Sequence, residues 1–159
     1  MRRKARPALA GVTIRAAVHP DAAEIARLIR QAKADAMPWL ATPHSLVEDE
    51  EWAANVLLRD HRVKVAEVND PTSRIIGVLA TSTGWIDQLY IAPGFQGRGL
   101  GSRLLKNAQG AATGLLQLWT FQRNSRARAF YERHGFVAVR QTEGENEENE
   151  PDVLYVWRR

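Results

Sequence analysis

The run Pro93-Gly94-Phe95-Gln96-Gly97-Arg98-Gly99-Leu100-Gly101 places four glycines within eight residues. Trp85 to Ile91 ahead of it reads as a strand, and Ser102 to Gln109 behind it carries Leu104 and Leu105 at helical spacing. A strand that passes so abruptly into a helix restricts the chain to folds in which helices pack back onto a sheet. The same junction is a physical device for holding phosphate. Successive main-chain amides converge where the helix leaves its first donors unpaired, and the helix dipole adds partial positive charge. Glycine lets the backbone approach closely and take positive φ. Arg98 and Arg103 add formal charge. The spacing excludes a P-loop, which needs a Lys before a hydroxyl, and a dinucleotide fingerprint, which needs Gly-x-Gly-x-x-Gly and a later acid. A plain glycine-rich turn remains open on this segment alone.

The rest of the chain reads as an alternation of elements. Thr13 to Val18 is expected as a first strand. A helix from Asp21 to about Met37 follows, with Asp21 and Glu24 as a capping-box variant, stopped by Pro38. Ser45 and Glu48 form a second capping box, opening a helix to about Arg59. Val63 to Val68, Ile75 to Thr81 and Trp85 to Ile91 are expected as an antiparallel meander. Leu115 to Phe121 is nearly continuously apolar, as a buried strand should be. Asn124 to Arg133 is expected as a helix stopped by Gly135, and Phe136 to Arg140 and Val153 to Trp157 as the last two strands.

Composition removes several classes of function. With 159 residues the chain has the length of one domain, here expected over 11–159 behind a disordered basic tail at 1–10. It contains no cysteine, so a disulfide framework, a thiol nucleophile and a Cys-ligated metal are excluded. No His, Asp or Glu spacing indicates a metal site, and none is expected. No apolar run reaches the roughly 20 residues of a membrane span, nor does the start carry a signal-peptide core. A soluble, cytoplasmic protein without a membrane partner is expected.

The net charge of +4 belongs to Arg2, Arg3, Lys4 and Arg6, leaving 18 basic and 18 acidic residues in the body. A neutral body argues against nucleic acid as a partner. Within it, residues 96–140 hold eight bases against the single acid Glu132, while 141–152 hold six acids and no base. That polarity suits an anionic ligand at one place and a cationic one at another.

Gln96-x-x-Gly99-x-Gly101 after Asp87-Gln88-Leu89-Tyr90-Ile91-Ala92-Pro93 resembles the acyl-CoA-binding motif of the GCN5-related N-acetyltransferases, the GNAT superfamily. Asn124-x-x-Ala127-x-x-Phe130-Tyr131-Glu132-x-x-Gly135-Phe136 is similar to the family's other cofactor-side segment, and the element order over 11–159 fits as well. The resemblance implies an α/β fold (α+β by some schemes). It has a central, mixed, mostly antiparallel sheet of about seven strands with four helices, splayed between the fourth and fifth strands. It implies acetyl-CoA as cosubstrate and transfer of the acetyl group to a primary amine in a ternary complex. The diphosphate is expected on Gln96, Gly97, Arg98, Gly99, Leu100, Gly101 and Ser102. The pantetheine arm is expected along Leu89, Tyr90 and Ile91, with a hydrogen bond from Asn124, whose local alternative is an N-cap.

Two catalytic roles follow from the same resemblance. Tyr131 sits where the family places a tyrosine beside the thioester sulfur, and a phenol can return a proton to a departing thiolate. For the base, Asp87 is expected on one face with Leu89 and Ile91 by alternation. The family's usual carboxylate position aligns with Trp85, and Glu67, Glu143 and water are rivals. The acceptor site is implied between Met37 to Glu51 and Thr142 to Asp152. Both segments are acidic, so a cationic acceptor is expected, with apolar contacts from Met37, Trp39 and Leu40. A homodimer is among the assemblies the family implies. The reading from another class is a catalytically silent acyl-CoA-binding module.

Overall fold

The computed structural model describes residues 9–69 and 71–159; residues 1–8 of the expected basic tail lie outside the described residues. Seven strands form one sheet in the order β1-β2-β3-β4-β5-β7-β6. They are β1 (Val12–Ala16), β2 (Arg62–Asn69), β3 (Ser73–Ser82), β4 (Trp85–Ile91), β5 (Leu115–Phe121), β6 (Val137–Gln141) and β7 (Asp152–Arg158). Every neighbouring pair is antiparallel except β4 and β5, which run parallel. That pair touches in register only at Trp85 and Gln117. The two strands then diverge, which is the expected splay.

Four helical stretches flank the sheet. α1 (Ala22–Ala36) ends at Met37, one residue before Pro38. α2 (Leu46–Trp52) continues through a π-helical segment (Ala53–Leu57) into a last turn, α3 (Leu58–Asp60). α4 (Leu100–Ala111) follows the glycine loop, and α5 (Ser125–Arg133) follows β5. Ser45 caps α2 as its sequence indicates: its hydroxyl accepts from Glu48 N at 3.2 Å, and Glu48 Oε2 accepts from Ser45 N at 2.6 Å.

The start of α1 differs from expectation. A 3-10 turn (His19–Asp21) precedes it, and Asp21 makes no side-chain cap to the helix. Its carboxylate accepts from Val18 N and from Arg15, while Glu24 accepts from Ile75 N on β3. Arg15 also reaches Glu67 on β2 at 2.6 Å. The local donors lost a competition with distant partners that a linear reading does not contain. Val18, expected at the end of β1, is exposed and outside the strand.

α1 and α4 sandwich the middle of the sheet. Lys33 of α1 lies 6.0 Å from the Tyr90 ring centroid. On the alternate face, a Cβ at Gly77 would lie 3.0 Å from Leu104 of α4 and 3.2 Å from Ile91. A glycine on β3 is thus what lets α4 settle onto the strand. The core formed there includes Ile25, Val65, Ile76, Val78, Leu104 and Leu105, all fully buried.

Candidate functional site

β4 carries the site to the glycine loop. Ala92 N donates to Ile76 O on β3, so by the antiparallel alternation the main-chain groups of Leu89 and Ile91 turn away from β3 toward the splay. One of them, the Ile91 carbonyl, accepts from Gln96 Nε2 at 3.2 Å. This bond ties the loop back onto the strand it has just left.

The loop itself leaves its donors empty. Among the described residues, no oxygen accepts a hydrogen bond from any main-chain N–H from Gln96 to Ser102; the first bonded amide is Arg103 N, to Gly99 O. Gly99 is the N-cap of α4 at φ +82°, with no side-chain cap. A Cβ at Gly97 or Gly99 would meet no atom within 4 Å, so both face open space. Arg98 adds a buried Nε with no partner among the described residues. A buried donor without an acceptor is rare in a folded chain, and Arg98 Nε is one beside these exposed amides. Ser102 is held from the side: His134 Nδ1 lies 2.8 Å from the Phe130 carbonyl, and Nε2 lies 3.0 Å from the Ser102 hydroxyl. A carbonyl only accepts, so Nδ1 carries the hydrogen and, in the neutral ring, Nε2 accepts from Ser102. His134 thus ties α5 to the first turn of α4.

Across the splay, Asn124 caps α5 by accepting from Ala127 N at 3.2 Å through Oδ1. It also lines a cavity of about 450 Å³ with Met37, Tyr90, Trp119 and Phe121. Tyr131 is on α5, packed against Phe136 and Tyr155 with ring centroids 5.7 and 6.4 Å away. Burial pushes the ionisation of its phenol well above the usual tyrosine range, and the nearby Tyr90 phenol adds to the push. Its proton is therefore firmly held at neutral pH. Two arginines of the basic stretch are engaged within the fold. Arg128 donates to the Tyr155 hydroxyl at 3.0 Å, and Arg123 stacks 4.3 Å over Trp39 beside Glu150.

Asp87 lies apart from these groups. β3 and β4 change register between Ala80 and Thr81, so Ile86 and Gln88 have partners and Asp87 is the extra residue of a bulge. Its carboxylate accepts from the Ser82 hydroxyl at 2.7 Å, with His61 Nε2 3.8 Å away. It lines neither cavity. Strict alternation cannot foresee a bulge, because the extra residue costs no change in composition.

A second cavity, about 670 Å³, opens between α1, the α1–α2 connector and the β6–β7 loop, sharing Met37 and Glu148 with the first. These are the segments expected around the acceptor, and Met37 and Leu40 line the wall as expected. Trp39 does not line it; the indole packs edge-on to Phe121 at 5.9 Å. Nor is the wall simply acidic. Asp49 is paired with Arg30 at 2.8 Å, Glu147 with His44 at 2.5 Å, and Glu48 is held in its cap. Asp152 accepts from Thr142 and Asn146. Glu148, from the segment expected around the acceptor, lines both cavities, and Tyr90, expected along the pantetheine arm, lines the first with Trp119; a period-2 reading of β4 and β5 would have offered the two aromatics.

Among the described residues no cluster of three or more His, Asp or Glu is placed to hold a metal ion, and no helix is long and apolar enough to cross a membrane.

Comparison with known proteins agrees with this architecture. No curated protein matches the chain significantly in sequence. Among solved structures, apo YjaB from Escherichia coli superposes with a TM-score of 0.75 at 21% identity, covering 92% of this chain and 97% of YjaB. The PaiA N-acetyltransferase of Thermoplasma acidophilum, in complex with coenzyme A, gives 0.70 at 17% identity over 94% of this chain and 99% of its own. YncA of Salmonella typhimurium, with acetyl-CoA, gives 0.68 at 19% over 94% of both chains. The family model for the GNAT acetyltransferase domain matches residues 59–138, from the end of α3 through β2 to β5, the glycine loop and α5. A seven-stranded mixed sheet, a splay at its one parallel pair and this match together make the chain a member of the GNAT acetyltransferase family.

Proposed function

We propose that the protein transfers an acetyl group from acetyl-CoA to a primary amine. The observation that carries the reading is the run of empty amides from Gln96 to Ser102 beside the splay of β4 and β5. A diphosphate supplies the many acceptor oxygens that such a run lacks. Arg98, with its orphaned Nε, supplies charge to the same group. The main chain of Leu89 and Ile91 is free of β3 and so available to a ligand's amides, as an added strand would be. Asn124 spends Oδ1 on its cap and keeps Nδ2 for the arm. The coenzyme A and acetyl-CoA held by PaiA and YncA support the choice of cosubstrate.

The chemistry needs two proton movements. An alkylammonium must lose a proton before its nitrogen can attack the acetyl carbon. As the C–N bond forms, the C–S bond breaks and the sulfur leaves with the electron pair. Tyr131 gives that sulfur a proton, and the proton lost by the new amide nitrogen restores the phenol, so one proton is released per turnover. A phenol held protonated by burial is suited to this task. Asp87, turned by the bulge to Ser82 and His61, supports the strand in this reading, and the ammonium proton leaves through solvent in the acceptor cavity.

The test is thiol release from acetyl-CoA with a mixed amine panel, alongside CoA binding. Tyr131→Phe should lower kcat about a hundredfold with an unchanged CoA Kd. Binding of CoA without thiol release from any amine would instead identify a silent acyl-CoA-binding module.

A further inference from the structure

The acceptor cavity has a charge inventory that narrows the amine, given the acetyltransferase reading above. Its wall combines an apolar part, with Ala26, Ile29, Met37, Leu40 and Trp52, and a charged part. Most of its ionisable groups are already partnered within the wall: Arg30 with Asp49, His44 with Glu147, and Glu48 in the α2 cap. Two are not. Lys33 and Glu148 are both half-buried, both line the cavity, and neither side chain forms an ion pair or hydrogen bond with a described residue. Half-buried charges left without partners are costly, and such sites await a complementary charge.

The two lie around one ring. Lys33 Nζ is 6.0 Å from the Tyr90 centroid. The charge of Glu148 is felt at the Tyr90 phenol, whose ionisation is pushed up first by burial and then by that carboxylate. Tyr90 also lines the cavity on the side of Asn124, where the thioester would lie. A cation beside this ring and an anion on the wall of the cavity it lines fit a small ligand carrying both opposite charges close together. Arg140 and Glu145, lining the other cavity, are exposed and so are hydrated without a ligand.

We propose that the acceptor is a free amino acid with an apolar side chain, its ammonium received by Glu148 and its carboxylate by Lys33. A polyamine, which the acidic segments alone suggest, would bring a second cation toward Lys33. A simple alkylamine would leave Lys33 unanswered.

The test compares L-leucine, L-methionine and L-phenylalanine with their C-terminal amides, with phenethylamine and with spermidine, by thiol release from acetyl-CoA. At least one amino acid should exceed its own amide in kcat/KM by about tenfold, the worth of one charge-assisted hydrogen bond. Lys33→Met should erase that preference and Lys33→Arg should restore it. Glu148→Gln should raise KM for every amine that is used. Each variant is accompanied by its thermal midpoint and its CoA affinity, so that misfolding is not read as specificity. Equal use of amide and acid, a preference for spermidine or phenethylamine, or a preference that survives Lys33→Met would overturn the proposal while leaving acetyl transfer intact. Absence of thiol release from all amines, with CoA still bound, would strike the acetyltransferase reading instead.

Discussion

Two polar loops border the cleft, and they treat their hydrogen bonds in opposite ways. The loop between β4 and α4 keeps seven consecutive amides, Gln96 to Ser102, without an internal acceptor. The loop between β6 and β7 spends its groups on itself. Asn146 donates to the Glu150 carbonyl and to Asp152, and accepts from Glu150 N; Thr142 bonds Asp152 and accepts from Gly144 N. Asn149 N completes the knot on the Asn146 carbonyl. In the proposed function the open donors await an anion, whereas the loop that shapes the wall closes on itself. Charge alone would have suggested the reverse emphasis, since the β6–β7 loop is the more highly charged.

The contrast can be broken from either side. The largest effect is expected at Gly99. Valine there would be forced to φ +82°, a left-handed conformation costing a β-branched residue about 2 kcal/mol, and the amides around it would lose their convergence. CoA Kd should rise at least about thirtyfold by calorimetry. Next, Asn146→Ala opens the other knot and strips a partner from the buried Asp152. It should lower unfolding stability by about 2 kcal/mol in denaturant titration while CoA affinity stays unchanged. A weakened CoA affinity in that variant would mean the loops are not independent. The smallest and most discriminating effect needs no mutation. In hydrogen exchange, the amides from Gln96 to Ser102 should exchange fast in the free protein and slow on addition of CoA. Those of Gly144, Asn149 and Glu150 should be protected throughout, because their acceptors are internal.

How far the site was legible depends on how local its causes are. The Ser45–Glu48 cap was readable because both partners are three residues apart. Asp21 and Glu24 have the same spacing and failed, because Arg15 and Ile75 N compete for their oxygens from β1 and β3. Gly99 and Asn124 were found by motif and sit at the starts of α4 and α5, where the chain direction fixes what they can do. Asp87 was given a face by alternation, which does not contain the bulge that β4 carries at that very residue or the Ser82 hydroxyl its carboxylate meets. Trp39 was given to the acceptor and instead lies between Phe121 and Arg123.

The linear chain determined the elements, their order and the phosphate-suited turn, because periodicity, capping and glycine act over a few residues. Only the folded sheet decided which charges are already spent. Arg30 meets Asp49 across helices, and His44 meets Glu147 across 103 residues. Coulomb pairing depends on distance in space, which no count of acids and bases along a chain contains. The cleft that looked acidic in sequence therefore has most of its charged groups partnered in three dimensions, with the Lys33 and Glu148 side chains left over on its wall.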